Sequence, residues 1–469
     1  MRKLIRFISL LLVSVMLFGT SAFANTINEP SIYARSAVLY NPDKDEILYS
    51  KDKDAKIYPA SMTKVLTALL VLEYFEPDEL ITVGSEINEV SLDSSKAGHV
   101  KGEVLNIETL VRGLIIPSGN DTAVVAACAV AKRYNNDTNL NYSQCMTIFS
   151  SLMNEKAKEL GCNNTNFSNP HGYHADDHYT TSYDMALIVS EAIKNELITK
   201  IAMEKSYSGS GAGNSSVSSD AVTQEYNWVS HNLLITSGEY YYPHATGLKT
   251  GFTDQAGSCV AATAEKDGTT LIAIISDSED PNRWYDAKTL FEYGFNNFSE
   301  KIVTTVGGTA ASLKIANHKK NDPETLDLIT KETKIIYLRN DKADKIISEI
   351  NILPEYIAES KDEDKTTIYL KAPIEKDTAI GTITYSTDDT VLFSTELYAS
   401  RDVEKAGIIQ RAIEAVKTVF SVIFSLKGLI VAVVIVIIII IILLIRRKRN
   451  RSYNYYSGYR FKNNNRRFR

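Results

Sequence analysis

Residues 428–445 carry no charged side chain and are dominated by Ile and Val. As a helix rising about 1.5 Å per residue, this run reaches about 27 Å, close to the roughly 30 Å of a bilayer's hydrocarbon core. Lys427 precedes it and Arg446-Arg447-Lys448-Arg449 stops it. A helix buried in a soluble core would not need four positive charges at one end, whereas a membrane span does, on its cytoplasmic side. The expectation is a transmembrane helix over 427–446, a basic cytoplasmic tail over 447–469, and the rest of the chain outside. The other terminus agrees: Arg2, Lys3 and Arg6 precede the apolar run 8–18, and Ala22-Phe23-Ala24 is a small-x-small cleavage site. Residues 1–24 are therefore expected to be a signal peptide.

That topology changes the meaning of the charge. The net charge is −6 overall, but the tail and the signal hold only basic residues, leaving about −19 on residues 25–445. An acidic exported body disfavours nucleic acid as a partner. In the tail, Tyr453, Tyr455, Tyr456, Tyr459 and Phe461 interleave with the charges, as in an anchor at an anionic leaflet. The four cysteines have no CxxC or Cys/His ligand spacing. Cys128 and Cys259 fall in apolar stretches and are expected as buried thiols; a Cys145–Cys162 bridge is left open.

Between these ends the chain divides by character. Residues 25–298 mix helical and strand patterns: a hairpin over 36–49, helices near 61–75, 107–116, 121–132, 143–160 and 182–198, and strands over 248–253, 258–264 and 270–276. Ser182 is the expected N-cap of its helix, and the Gly/Ser-rich stretch 206–220 is expected as a surface loop with helical pattern resuming after it. A helix over 283–295 closes this α/β unit. Residues 299–400 alternate short β-rich segments with polar turns, the pattern of a small all-β sandwich. Residues 401–426 place Ile409, Ile413, Val416, Phe420 and Ile423 on one stripe, an amphipathic helix leading into the span.

Chemistry concentrates at Ser61-Met62-Thr63-Lys64, where Pro59 introduces a long apolar-periodic segment. Residues three apart share a helix face, so the Ser61 hydroxyl and the Lys64 amine can meet. A serine becomes a nucleophile when a neighbour takes its proton, and a lysine can do so when burial or nearby positive charge disfavours its ammonium form. Ser-x-x-Lys alone is weak, expected about once or twice by chance in such a chain. Ser50-Lys51-Asp52-Lys53 is a second copy, in a charge-rich connector where nothing would desolvate Lys53. Two further triplets add weight. Ser118-Gly119-Asn120 opens a helix, unlike the other Ser-x-Asn matches at Ser230-His231-Asn232 and Ser452-Tyr453-Asn454, and Lys249-Thr250-Gly251 lies on a strand between Gly247 and Gly257.

In this order, within one exported domain, the three triplets resemble the SxxK, SxN and KTG motifs of the low-molecular-mass penicillin-binding proteins, the serine-type D-alanyl-D-alanine carboxypeptidases. The resemblance runs on through Asn169-Pro170-His171-Gly172 and the 283–295 helix to the β-rich domain. It implies a penicillin-recognising, β-lactamase/DD-peptidase-like α/β catalytic domain and removal of the terminal D-alanine from peptidoglycan stem pentapeptides, with β-lactams as covalent inhibitors. It further implies Ser61 as acylated nucleophile, Lys64 as its proton acceptor, Ser118 as relay to the leaving D-alanine and Asn120 as orienting group. Lys249 would lower the pKa of Lys64, Thr250 and Arg283 would hold the substrate carboxylate, and the N–H groups of Ser61 and Phe252, beside Gly251, would form the oxyanion hole. The family needs neither metal nor cofactor, and endopeptidase action on cross-links would use the same residues. Many relatives end in an amphipathic helix lying on the membrane; a full span with a basic tail departs from that pattern.

Three other functions share part of this pattern. His171, His174 and His178, with Asp176 and Asp177, crowd one loop as in a zinc peptidase, but no HExxH occurs. A class A β-lactamase shares two triplets but needs a deacylating Glu-x-x-x-Asn loop, for which the chain has no convincing match. A non-catalytic wall-binding scaffold would not need every reactive residue.

Overall fold

The computed structural model describes residues 27–362, 365–388, 390–423 and 426–456; the expected signal peptide and the end of the tail lie outside them. The chain divides into two compact units, one of residues 27–300 with 337–344, the other of the remainder.

The first unit is built on a five-stranded antiparallel sheet. Strands β1 (Ser36–Asn41), β2 (Glu46–Lys51), β7 (Ala245–Thr253), β8 (Gly257–Lys266) and β9 (Thr269–Ser278) lie in the order β2-β1-β9-β8-β7, and β3 (Leu80–Thr82) pairs with β4 (Val104–Asn106) outside this sheet. Successive side chains of a strand face opposite ways, and both faces here are apolar. Val38, Tyr40, Ile272 and Ile274 enter one core, while Leu39, Leu271, Ala273 and Ile275 enter the other.

Helices α1 (Lys64–Tyr74), α2 (Ile107–Ile115), α3 (Asn120–Asn135), α4 (Tyr142–Glu159), α5 (Ser182–Ala192) and α6 (Glu196–Ala202) contribute to the first core. Helix α1 is buried continuously from Lys64 to Val71, and a helix apolar on every side belongs at the centre of its layer. Helix α7 (Asn282–Asn297) covers the other face through Trp284, Leu290 and Phe291.

Three expectations need correction. The helix expected over 182–198 is α5 and α6, broken at Ile193–Asn195. The short Asn195 side chain accepts from Leu197 and Ile198 N–H and starts a new helix, the competition that makes Asn a better cap than interior residue. Thr181, not Ser182, caps α5 by accepting from Asp184 N–H; the Ser182 hydroxyl instead meets that of Ser36 at 2.7 Å. Nor is 206–220 a plain loop with helix after it. Its start is strand β5 (Ser206–Ser210), paired with β6 (Glu225–Val229), where Tyr226 and Trp228 alternate inward against Glu225, Asn227 and Val229.

In the second unit seven strands form one sheet, in spatial order Ile347–Ile352, Ala379–Thr387, Thr390–Ala399, Thr325–Ile329, Thr309–Ala316, Lys365–Lys371 and Ile357–Asp362. Among the described residues the last two strands join the others through two residue pairs, Ile315 with Leu370 and Ala316 with Lys371. Ile315, Leu326, Leu328, Leu370, Ile383 and Leu397 share its core. Helix α8 (Ile408–Ile423) follows, with Ile409, Ile413 and Val416 exposed. Helix α9 (Leu426–Tyr456) contains Ile430–Arg447, a stretch of mean hydropathy 3.2 with no buried residue and long enough to cross a membrane.

The segment just before β1 is tied to α7 by Asp286, whose carboxylate accepts from Tyr33 N–H at 2.9 Å and Ala34 N–H at 2.8 Å. Asp286→Asn turns one acceptor into a donor facing an N–H. Urea unfolding followed by tryptophan fluorescence is expected to show a loss of about 1–3 kcal/mol.

Candidate active site

Ala60–Thr63 forms one 3-10 turn ahead of α1, with Ala60 left-handed at φ +46°. The turn holds the Ser61 hydroxyl at the rim and leads Lys64 inward, where it has no exposed surface. Strand β7 runs alongside. A Cβ on its Gly251 would lie 3.0 Å from Pro59 O, 3.1 Å from Ala60 Cβ and 3.2 Å from Ser61 N, so glycine here is a packing requirement between strand and turn. The third wall is Ser118-Gly119-Asn120 at the start of α3. Ser118 is left-handed at φ +60°, a conformation a non-glycine residue holds at a cost of about 1–2 kcal/mol. Gly119 has ordinary φ of −62°, but a Cβ there would come within 2.5 Å of Thr122 Oγ1, 2.7 Å of Asp121 Oδ1 and 2.8 Å of Ala97 Cβ.

The three triplets therefore meet in one cleft of about 770 Å³, lined by Ser61, Ser118, Asn120, Thr250, Phe252 and Arg283 among others. Lys64 Nζ lies 2.8 Å from Ser61 Oγ, 2.7 Å from Asn120 Oδ1 and 2.9 Å from His171 O. The His171 carbonyl is held by its neighbours: Thr67 Oγ1 donates to Pro170 O at 2.6 Å, and Gly172 N–H donates to Asn169 Oδ1 at 2.7 Å. Burial, then the charge of Lys249, pushes the Lys64 amine well below the usual lysine range, against a smaller opposite pull from Asp121. Lys249 is itself buried, donates to Thr250 O at 2.9 Å, and is brought down to about 7 by burial and then Arg283. Arg283 donates to Gly251 O at 3.1 Å and Cys259 O at 3.3 Å and pairs with Asp280. It thus fastens the strand as well as facing the cleft.

The histidine-rich loop serves packing. His178 is buried with Nε2 2.9 Å from Thr63 Oγ1 and Nδ1 accepting from Ser168 N–H. Burial brings it to about 4, and brings His171, also beside Lys64, to about 3. Among the described residues no three His, Cys, Asp or Glu side chains lie where they could hold one metal ion. All four cysteines are buried free thiols; Cys145 clusters with Cys128, and Cys162 donates to Asp184 O at 3.3 Å, so Cys145 and Cys162 are not bridged.

The cleft also contains residues that the sequence did not point to. His231, part of a triplet set aside as an incidental match, lines the wall with Arg283 and Thr250. Burial lowers its pKa, helped by Lys249, Arg283 and Lys64. Asp93 and Ser95 come from a stretch without periodicity, and Tyr173 from the histidine-rich loop. No local signal marks any of them. Gly119→Ala, with no backbone penalty to confuse the result, is expected to cost about 1–3 kcal/mol of stability through overpacking and to suppress turnover. Urea titration and an activity assay on the same sample check both.

Comparison with known proteins follows the same division of the chain. Residues 23–280 match the Peptidase S11 family model, D-alanyl-D-alanine carboxypeptidase, and residues 303–405 match the penicillin-binding protein 5 C-terminal domain. The chain is 30% identical to D-alanyl-D-alanine carboxypeptidase DacF of Bacillus subtilis (strain 168), over 86% of this chain and 96% of that one. A crystal structure of the Streptomyces K15 DD-transpeptidase is 28% identical with TM-score 0.51, covering 58% of this chain and all of that one. The D-alanyl-D-alanine carboxypeptidase DacD from Francisella tularensis, 20% identical, shares the fold at TM-score 0.62, covering 82% of this chain and 97% of that one. The chain belongs to the Peptidase S11 family and is a serine-type D-alanyl-D-alanine carboxypeptidase.

Proposed function

We propose that the protein removes the terminal D-alanine from peptidoglycan stem pentapeptides through an acyl-enzyme on Ser61, and that β-lactams acylate the same hydroxyl. The observation that carries this is the set of partners around Lys64. A neutral amine has two hydrogens and one lone pair. Two of the three partners, Asn120 Oδ1 and the His171 carbonyl, are oxygens that only accept. Both hydrogens go there, and the lone pair faces the Ser61 hydroxyl at 2.8 Å. An ammonium would spend all three hydrogens and have nothing with which to take a proton.

Acylation then balances simply. Ser61 Oγ bonds to the carbonyl carbon of the penultimate D-alanine as its proton passes to Lys64 Nζ. The oxyanion is held by the N–H groups of Ser61 and Phe252. Lys64 returns the proton through Ser118 Oγ to the leaving amide nitrogen, the C–N bond breaks, and D-alanine departs. Asn120 orients substrate and Lys64, and water later cleaves the ester by the reverse path. On the opposite wall Lys249, Thr250 and Arg283 receive the terminal carboxylate. With basic residues marking the cytoplasmic end of Ile430–Arg447, the catalytic unit works outside a single-pass anchor.

Covalent labelling of the full chain by a fluorescent penicillin is expected to vanish in Ser61→Ala; labelling that persists would remove Ser61 as nucleophile. The pH profile tests the lysines separately. Neutral Lys64 is present above its depressed pKa, so kcat/KM falls as pH drops through that value. Charged Lys249 is present below about 7, so kcat/KM for a carboxylate-ended peptide also falls as pH rises through that region, giving a bell. A peptide ending in carboxamide is expected to react slowly and lack the alkaline limb.

A further inference from the structure

Behind the Ser118–Asn120 loop, a buried file of polar groups reaches the β5–β6 hairpin without entering the chemistry above. Thr122 Oγ1 lies 2.9 Å from His99 Nε2, and His99 Nδ1 lies 2.8 Å from Tyr226 OH. The Tyr226 hydroxyl donates to Glu103 Oε1 at 2.5 Å, while Glu103 Oε2 accepts from Val100 N–H at 3.2 Å. The side chains of His99 and Glu103 have no exposed surface; Thr122 has none and Tyr226 is 5% exposed.

Donors and acceptors can be assigned along this file. A carboxylate only accepts, so the Tyr226 hydrogen points to Glu103 and the Tyr226 oxygen takes the Nδ1–H of His99. Nε2 is then left as an acceptor for the Thr122 hydroxyl. Each hydroxyl has one hydrogen, so the file runs in one direction from Thr122 to Glu103.

The same neighbourhood straps segment 95–99 onto the start of α3. The Asp121 carboxylate accepts from Ala97, Gly98 and His99 N–H at 2.8, 2.8 and 3.2 Å. Asn120 N–H donates to Ser95 O at 2.8 Å, and the Ser95 hydroxyl donates to Pro117 O at 2.8 Å. From the hairpin side, Trp228 Nε1 donates to Ala97 O at 2.9 Å and its ring stacks on Tyr226 at 4.3 Å. Segment 95–99 is therefore clamped between Asn120's helix and the hairpin, with the His99 ring as the bolt. Burying a carboxylate costs several kcal/mol before its partners repay it. A fully satisfied network instead confers a single geometry.

We propose that His99, Glu103 and Tyr226 are positioning residues which, through Thr122 and segment 95–99, hold the Asn120 carboxamide where it fixes the orientation of Lys64. The proposal rests on the roles given above to Ser61, Lys64 and Asn120. Loosening the file lets Asn120 shift and the Lys64 lone pair turn from Ser61. The carboxylate-binding wall of Thr250 and Arg283 is untouched. The rate then falls while substrate affinity holds.

The test compares Thr122→Val, Thr122→Ser and Tyr226→Phe in the full chain, with Ser61→Ala as reference, by kcat and KM for D-alanine release, acid limb of the pH profile, and Tm. Thr122→Val and Tyr226→Phe are expected to lower kcat by about 10–100-fold, the scale of a misplacement near 1 Å. KM should stay within about twofold and the acid limb should move, while Thr122→Ser, which keeps the hydroxyl, stays near the parent. Losses of Tm with kcat and acid limb unchanged overturn the proposal, as does Thr122→Ser falling as far as Thr122→Val. If Tyr226→Phe does not fold, the Thr122 pair decides. Activity that survives in Ser61→Ala overturns the mechanism and the proposal together, whereas Ser61-dependent activity indifferent to Thr122→Val overturns the positioning role alone.

Discussion

An amine kept uncharged in a protein interior is the constraint on which the rest of the catalytic unit depends. Lys64 is sealed from water and shares its surroundings with a second buried lysine, and both influences act against its ammonium form. Isolated, such a group would be a liability, since a buried polar atom without partners costs about 1–3 kcal/mol. Here the Asn120 and His171 oxygens absorb its hydrogens. The same contacts that make burial tolerable leave the lone pair aimed at Ser61.

Holding that geometry takes several elements far apart in sequence. The 3-10 turn supplies Ser61, the first residue of α1 supplies Lys64, α3 supplies Asn120, the loop after α4 supplies a carbonyl, and β7 supplies Lys249. The five-stranded sheet fixes β7 at its edge, beside the 3-10 turn, and Gly251 removes the side chain that would keep them apart. Left-handed backbone at Ala60 and Ser118 places local strain at two points of the cleft rim, where the surrounding packing must over-determine it.

What was legible in the sequence follows from the range of the interaction concerned. The Ser61/Lys64 pairing is a matter of helical spacing, and the five-stranded sheet announces itself in β-branched runs such as Thr269–Ser278. The apolar stretch ending at Arg446 is visible in composition alone. The break at Asn195 escaped because apolar periodicity continues across it, while the decisive hydrogen bonds belong to one short side chain. The β5–β6 hairpin escaped because its inward Tyr226 and Trp228 are separated from β5 by a Gly/Ser-rich stretch that looks like loop. Asp93, Ser95, Tyr173 and His231 reach the cleft by tertiary contact, with no periodic or motif signal of their own.

The central claim is the charge state of Lys64, and it can be read directly. Titration of the full chain carrying isotope-labelled lysine, with the Lys64 Nζ resonance assigned by Lys64→Arg, reports its protonation by NMR. The expected midpoint lies far below that of surface lysines and rises when a charged neighbour is removed in Lys249→Met. A Lys64 amine that titrates with the surface lysines, near pH 10.4, would contradict it.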